Sequence, residues 1–155
     1  MLNMKNRIDK ILGTFLAFLM AIITIDVLWG VFTRYAMGSQ ASWSEELARF
    51  LLIWIGVLGA AYASGQNMHL SIDLLQPSMR PENRRKLQNF IYIIIALFAF
   101  AVLVIGGGRL IYITYHLKQL SPALQLPMAA VYIAIPIAGL LIMYYKIQAI
   151  RQPSS

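Results

Sequence analysis

Four long apolar segments constrain the fold of this chain more than any other feature of its sequence. They cover approximately residues 11–32, 47–64, 87–108 and 128–145. A helix needs about 20 apolar residues to cross the hydrocarbon core of a bilayer, with a range of about 17–25. The segments therefore predict an all-α integral membrane protein with four transmembrane helices, organised as a single membrane domain over residues 1–155.

The composition supports this class and excludes several kinds of site. Only 12% of the residues are charged and the mean hydropathy is +0.67, whereas soluble domains carry about 25% charged residues. Cysteine is absent, which excludes disulfides, thiolate nucleophiles and cysteine metal sites. The formal net charge of +7 is better explained by basic residues on the cytoplasmic side of a membrane than by nucleic-acid binding.

The positions of Lys and Arg predict the orientation. Nine of the thirteen basic residues lie in the N-terminal tail, the link between the second and third spans, and the C-terminal tail. Four spans place these segments on one side, so both termini are predicted to be cytoplasmic. Within the link, residues 68–74 alternate between apolar and polar, as in an extended segment. Leu70, Leu74 and Leu75 also fit one side of a short interfacial helix, which we favour.

The second span begins with a charged and patterned stretch. Ser42 and Glu45 fit a capping box, in which each side chain satisfies a backbone N–H at a helix start. Glu45 and Arg49 stand four residues apart and so share a face. That face continues with residues that are mostly small: Ile53, Gly56, Ala60 and Ala63. Such spacing lets another membrane helix approach closely, and that helix could belong to this chain or to a partner.

Asp26 lies about two turns from the outer end of the first span. A carboxylate at that depth is costly and indicates a function. We expect it to pair with Arg49 or Arg34; contact with another subunit and proton or ion coupling are the alternatives. Trp43 is expected to anchor the outer interface. His69 is expected to form hydrogen bonds at the headgroup level rather than to bind metal.

Proline and glycine mark four further features. Pro81 suits the first turn of the third helix. Three glycines at residues 106–108 predict a close-packed or bent helix segment. The outer loop SPALQLP, residues 121–127, holds two prolines and should be stiff. Pro136 predicts a kink in the fourth span, which ends in an aromatic and basic anchor at Tyr144, Tyr145 and Lys146.

No arrangement of residues predicts catalysis. Neither histidine stands near both an acid and a nucleophile in a recognisable pattern. The middles of the spans are smoothly apolar, whereas transporters that work alone usually have broken helices at matched positions of two repeats. The chain is therefore predicted to pack against something larger.

One run of residues resembles a known family. The pattern W-x-E-E-L-A-R-F-L-L-x-W-x-x-x-L-G-A at residues 43–60, followed by His69 and Asp73, resembles the small membrane subunit (DctQ or SiaQ type) of tripartite ATP-independent periplasmic (TRAP) transporters. The length, the four spans and the SPALQLP loop agree, so the resemblance covers most of the chain. The residues that carry it most sharply are Glu46, Arg49, Phe50, Trp54, Gly59, His69 and Asp73.

The resemblance implies an accessory subunit in the bacterial inner membrane, without enzymatic activity or a cofactor. It implies two protein partners, a large membrane subunit and a periplasmic substrate-binding protein. The large subunit would hold the substrate and sodium sites and move them by an elevator motion, while this chain braces its fixed part. The implied cargo is an organic acid of the sialic acid or C4-dicarboxylate class, with sialic acid slightly preferred.

The candidate site residues follow from this interpretation. The expected subunit and structural contacts are Asp26, Trp43, Glu45, Glu46, Arg49, Phe50, Trp54, Gly56, Gly59, Ala60, His69 and Asp73. The expected docking residues for the binding protein are Gln40, Ser121, Leu124 and Gln125. The alternatives are a self-sufficient, proton-coupled four-helix transporter that uses Asp26, and a membrane enzyme, which no sequence motif supports.

Overall fold

The computed structural model describes residues 2–39, 41–66 and 81–151, and this part of the chain is helical apart from its loops. The helices are α1 (Leu2–Ala36), α2 (Ser42–Gly65), α3 (Pro81–Phe98), a π-helical segment (Ala99–Gly106), α4 (Gly107–His116), α5 (Met128–Tyr132) and α6 (Ala134–Arg151). The predicted helix start at Pro81 is confirmed. The predicted interfacial segment, with His69 and Asp73, and also Gln40 lie outside the described residues.

Four of the described helical stretches are long and apolar enough to cross a membrane, as predicted. Spans 1 to 4 are Met4–Ala36, Ser42–Gly65, Lys86–His116 and Met128–Arg151. Span 3 joins α3, the π-helical segment and α4, and span 4 joins α5 and α6. Cytoplasmic termini remain a prediction. We therefore call the end of the bundle near Asp9 and Tyr145 the terminal end, and the opposite end the loop end.

Span 4 lies at the centre of the bundle. It packs against span 2 and against span 3, whereas α1 packs chiefly on α2. In the most apolar part of span 4, 39% of the residues are buried, against 17–22% in the other spans. All four spans contribute to one small core: Leu12, Leu58, Ala61, Ala99, Ala138 and Ile142. Wide apolar surfaces of the outer spans are left exposed.

Glycines allow spans 3 and 4 to pack closely. A Cβ built on Gly139 would lie 2.8 Å from Leu103 Cβ, and one on Gly107 would lie 2.8 Å from Ile135 Cγ2. Small residues at helix contacts are the usual means of association inside lipid. The prediction for the glycine triplet is therefore confirmed at Gly107, whereas a Cβ on Gly108 would meet nothing within 4 Å.

Proline accounts for the break in span 4. Pro136 has no N–H to donate to the carbonyl of Tyr132, four residues earlier. The helix is interrupted between these residues, since α5 ends at Tyr132 and α6 begins at Ala134. The predicted irregularity is thus present, one turn ahead of the proline.

The predicted aromatic and basic anchor at the end of span 4 is wrong for Tyr145 and Lys146, since both side chains are buried between helices. Tyr145 Oη donates to Asp9 Oδ1 at 2.6 Å. Lys146 Nζ donates to the backbone oxygen of Ser64 at 3.1 Å and lies 5.0 Å from the centre of the Tyr92 ring. These contacts join all four spans at the terminal end. The sequence could not distinguish such an internal cluster from an interfacial belt, because both use aromatic and basic residues.

The glycine contacts yield a stability prediction. Gly139→Ala should destabilise the chain by about 1–3 kcal/mol, because the added methyl group overpacks against Leu103. Gly108→Ala is the matched control and should be neutral or stabilise by about 0.5–1 kcal/mol, since it only removes helix flexibility. Thermal unfolding in detergent, followed by tryptophan fluorescence, measures both. Equal melting temperatures for the two variants would contradict the packing described.

Candidate functional site

The loop end brings together most of the sequence-predicted contact residues, beginning with Asp26. Ser44 Oγ donates to the backbone oxygen of Asp26 at 3.1 Å and so joins α1 to the start of α2. The Asp26 side chain is only 5% exposed. Neither of its carboxylate oxygens has a hydrogen-bond partner among the described residues.

The expected pairing of Asp26 with Arg49 or Arg34 is therefore wrong. Arg49 instead forms an ion pair with Glu45, one turn earlier on the same helix. That pair is solvent- or lipid-facing, with side-chain exposures of 70% for Arg49 and 55% for Glu45. Exposed pairs of this kind contribute about 0–1 kcal/mol.

The capping box is also absent. Ala41 occupies the N-cap position of α2, and no side chain caps the helix. The backbone N–H groups of Ser44 and Glu45 both donate to the Ala41 carbonyl, while the Glu45 carboxylate is engaged by Arg49. With Ala41 as the N-cap, Ser42 is the first residue inside α2, so Ser42 and Glu45 stand one position too late for the reciprocal capping pair.

A pocket of about 380 Å³ opens beside Asp26, between the loop-end half of α1 and the beginning of α2. Its lining is almost entirely apolar and consists of Ile22, Ile25, Asp26, Trp29, Trp43 and Leu47. Trp43, predicted as an interface anchor, is partly exposed and forms part of this wall.

Glu46 provides the second polar contact of the loop end. Its Oε2 accepts the backbone N–H groups of Ala123 and Leu124, both at 2.8 Å. The carboxylate is buried and holds the 121–127 loop against α2. Hydrogen bonds to charged groups contribute about 1.5–3 kcal/mol each. The run of residues 43–60 pointed to Glu46, but nothing in the sequence indicated a partner 77 residues away.

The 121–127 loop is braced by its own hydrogen bonds, while the stiffness expected from its prolines remains a prediction. Ser121 N donates to Leu126 O at 2.9 Å, and Leu126 N donates to Ser121 Oγ at 3.2 Å. Ser121 is fully buried, so its side chain shapes the loop from within. Gln125 is exposed and has a positive φ of 53°, which places its backbone in the left-handed region. Docking of a binding protein on this loop remains a prediction.

The small-residue face of α2 is open. A Cβ built on Gly56 or on Gly59 would meet nothing within 4 Å, and Ala60 is exposed. No helix in the described part of the chain covers this face. We call Arg49, Ile53, Gly56 and Ala60 the open stripe.

Two aromatic residues of the 43–60 run lie on the side of α2 that faces the other helices. Trp54 packs on the shared core and meets Phe15 of α1 edge-on, with the ring centres 6.3 Å apart. Phe50, one turn earlier, is half-buried. These two rings lie on the side of α2 that faces the bundle, whereas the open stripe lies on the other side.

These features define a class of protein. The chain is a four-span membrane protein whose polar contacts brace its own loops and helix ends, and whose outer surfaces are apolar. Among the described residues, no group of three or more His, Cys, Asp or Glu side chains is placed to hold a metal ion.

Residues 23–154 match the family described as tripartite ATP-independent periplasmic transporters, DctQ component. The chain therefore belongs to this family and is a TRAP transporter small permease subunit.

Individual relatives agree with this assignment. The chain is 31% identical to the C4-dicarboxylate TRAP transporter small permease protein DctQ of Rhodobacter capsulatus over 116 residues, covering 72% of this chain and 48% of that protein. It is 28% identical to the sialic acid TRAP transporter small permease protein SiaQ of Vibrio cholerae, covering 65% and 57%. It is 27% identical to the sialic acid TRAP transporter permease protein SiaT of Haemophilus influenzae, covering 93% of this chain but 22% of that longer protein.

The Glu46 contact can be tested by hydrogen exchange. Glu46→Ala removes the acceptor of the Ala123 and Leu124 N–H groups, so both amides should exchange at least about tenfold faster, since 1.4 kcal/mol corresponds to a factor of ten. Amide exchange read by mass spectrometry on peptides covering residues 118–128 measures the change.

Two variants control for charge and position. Glu46→Gln keeps an oxygen acceptor without the charge and should fall between Glu46→Ala and the unaltered chain. Glu45→Gln removes the neighbouring exposed carboxylate and should leave the loop unaffected. Unchanged exchange in Glu46→Ala would show that the loop does not depend on this carboxylate.

Proposed function

We propose that this chain is an accessory subunit that packs on a large TRAP membrane subunit in the bacterial inner membrane and braces its fixed part. The observation that carries the proposal is the open stripe, a close-packing surface that the described part of the chain leaves uncovered. A helix of the large subunit lying on this face would approach α2 closely, because Gly56 and Ala60 present almost no side chain. The exposed Glu45–Arg49 pair would then flank the contact.

Fusion supports a large permease component as the partner. The chain aligns with only 22% of the sialic acid permease protein SiaT, so a sequence like this one forms a minor part of a longer permease polypeptide there. Two membrane components that associate stably can also be joined in one polypeptide.

We propose that the site of the transported solute lies in other polypeptides. The pocket beside Asp26 is open, and its lining is almost entirely apolar. The relatives' names include C4-dicarboxylate, sialic acid and ectoine for small permease proteins, and isethionate for a longer permease protein, although all of these are similar to this chain. We propose uptake of an organic acid, with sialic acid or a C4-dicarboxylate as the first candidates, driven by sodium ions bound in the large subunit.

The braced 121–127 loop suits a docking surface for the periplasmic binding protein. Its shape is set by Glu46 and by hydrogen bonds within the loop, so little conformational entropy would be lost on contact. Of the expected docking residues in this loop, Gln125 is exposed and Leu124 is partly exposed, whereas Ser121 is buried.

The self-sufficient transporter that uses Asp26 is the second candidate, and the buried, unpaired carboxylate is the observation in its favour. It predicts proton-coupled transport by the chain alone. The accessory role predicts none.

The open stripe gives the direct test of subunit packing. Gly56→Leu should leave the melting temperature of the chain alone nearly unchanged, because its Cβ meets nothing within 4 Å. It should reduce recovery of the cognate large subunit on affinity purification at least about tenfold, since a bulky side chain separates the helices. Co-purification from a membrane in which both subunits are expressed measures the effect.

Two further variants locate the contact. Arg49→Ala removes the charged end of the open stripe and should also lower recovery. Gly108→Leu places the same side chain at an equally open glycine on span 3 and should leave recovery unchanged. Full recovery with Gly56→Leu would exclude this face of α2 as the subunit contact.

A further inference from the structure

The backbone irregularities of spans 3 and 4 lie side by side. Span 3 is π-helical over Ala99–Gly106, and span 4 is interrupted between Tyr132 and Ala134. A Cβ built on Gly107, at the end of the π-helical segment, would lie 3.1 Å from Cδ of Pro136. Proline breaks and π-helical turns are the positions at which long helices bend. The two neighbouring spans can therefore bend at the same level.

The chain beyond these breaks forms one body at the loop end. It comprises α4, the connecting loop and α5, residues 107–132, which we call the loop-end hairpin. In this hairpin α4 packs against α5. The loop between them is closed by Met128 N, which donates to Gln119 O at 2.9 Å, and by the two hydrogen bonds between Ser121 and Leu126. These internal contacts favour movement of the hairpin as a unit.

The shared core of the bundle lies outside the loop-end hairpin. Its buried members and the apolar residues packed against them all lie outside residues 107–132. The buried side chains of the hairpin are of small or moderate size and include Thr114, Ser121 and Ala129. Little buried apolar surface would therefore be exposed if the hairpin tilted.

Glu46 supplies the polar connection between the hairpin and α2. Its carboxylate is buried, and its Oε2 accepts the backbone N–H groups of Ala123 and Leu124, both at 2.8 Å. No other side chain of α2 is hydrogen-bonded to residues 107–132 in the part of the chain that the structure describes. Loss of this one carboxylate would leave the hairpin without a side-chain hydrogen bond to α2.

We infer that the loop-end hairpin pivots as one body about the two backbone breaks, and that the Glu46 carboxylate is the latch that holds it against α2. Because the breaks touch through Gly107, an axis through both lets the hairpin tilt without separating spans 3 and 4. A protein that docks on the 121–127 loop would then bend both spans at the breaks. The inference concerns the chain alone and does not rest on the proposed function.

Distances between paired spin labels test the pivot in the chain reconstituted alone in lipid nanodiscs. The chain has no cysteine, so each label needs a single substitution. The first pair, Leu52→Cys with Tyr115→Cys, joins α2 to the hairpin. The second pair, Tyr112→Cys with Ala130→Cys, lies within the hairpin. All four side chains are exposed, so the labels disturb no internal contact between spans.

Release of the latch should change the first of these distances and not the second. Since α4 has ten residues and is about 15 Å long, a bend of about 20° at its start moves its far end by about 5 Å. Glu46→Ala should widen the distance distribution of the first pair by this amount and leave that of the second pair unchanged. Glu46→Gln keeps an oxygen acceptor and should widen the first distribution less, and it carries the test if Glu46→Ala does not fold.

Three further variants locate the latch and the hinge. Glu45→Gln removes the exposed carboxylate beside the latch and should change neither distribution. Pro136→Ala, combined with Glu46→Ala, supplies an N–H for the Tyr132 carbonyl and should narrow the first distribution again, because a continuous helix resists bending. Pro81→Ala, at the start of α3, is the matched control in the same background and should not narrow it.

The inference is overturned if Glu46→Ala leaves the first distance distribution unchanged, because the carboxylate is then no latch. It is also overturned if both pairs widen alike, which would show that the hairpin unravels, or if Pro136→Ala does not narrow the first distribution, which would place the bend elsewhere. Since the chain is measured without a partner, none of these results bears on the proposed function, which co-purification with the large subunit tests.

Discussion

A polar group inside a bilayer must find its partner within protein, because lipid offers none. This constraint explains why the described chain is built from helices, in which the backbone N–H and C=O groups hydrogen-bond to one another. It also explains where the side-chain hydrogen bonds between spans lie. At the terminal end, Tyr145 and Lys146 join span 4 to Asp9 and Ser64. At the loop end, Glu46 and Ser44 join α2 to the 121–127 loop and to α1.

Between these two ends, close packing of the helices holds the bundle together. Hydrophobic burial supplies little association energy when the solvent is itself apolar, so helices depend on close packing. Gly107 and Gly139 bring spans 3 and 4 into contact, and Gly65 lies against the ring of Tyr145. Gly56 and Gly59 have the same chemistry and no neighbour. On α2 these glycines continue into the exposed Ala60, and this small-residue face is where the proposed function places the partner.

The sequence predicted the elements better than their contacts. Length and hydropathy located all four spans, and the proline rules located the start of α3 and the break in span 4, because these properties are local. The capping box failed because α2 is capped one residue earlier, at Ala41, and the expected Asp26 ion pair failed because Arg49 pairs with Glu45. Glu46 was singled out by its motif, but its bond to Ala123 joins residues distant in sequence. Which of two nearby acids captures an arginine depends on side-chain direction, and residue spacing alone does not settle it.

The central claim is that this chain completes and braces a larger transporter without carrying solute itself. Reconstitution into proteoliposomes with a sodium gradient tests it most directly. The account predicts uptake of a labelled sialic acid or C4-dicarboxylate only when the chain is combined with its cognate large subunit and binding protein, with no uptake when either membrane subunit is omitted. Solute accumulation in vesicles that contain this chain alone would contradict the account.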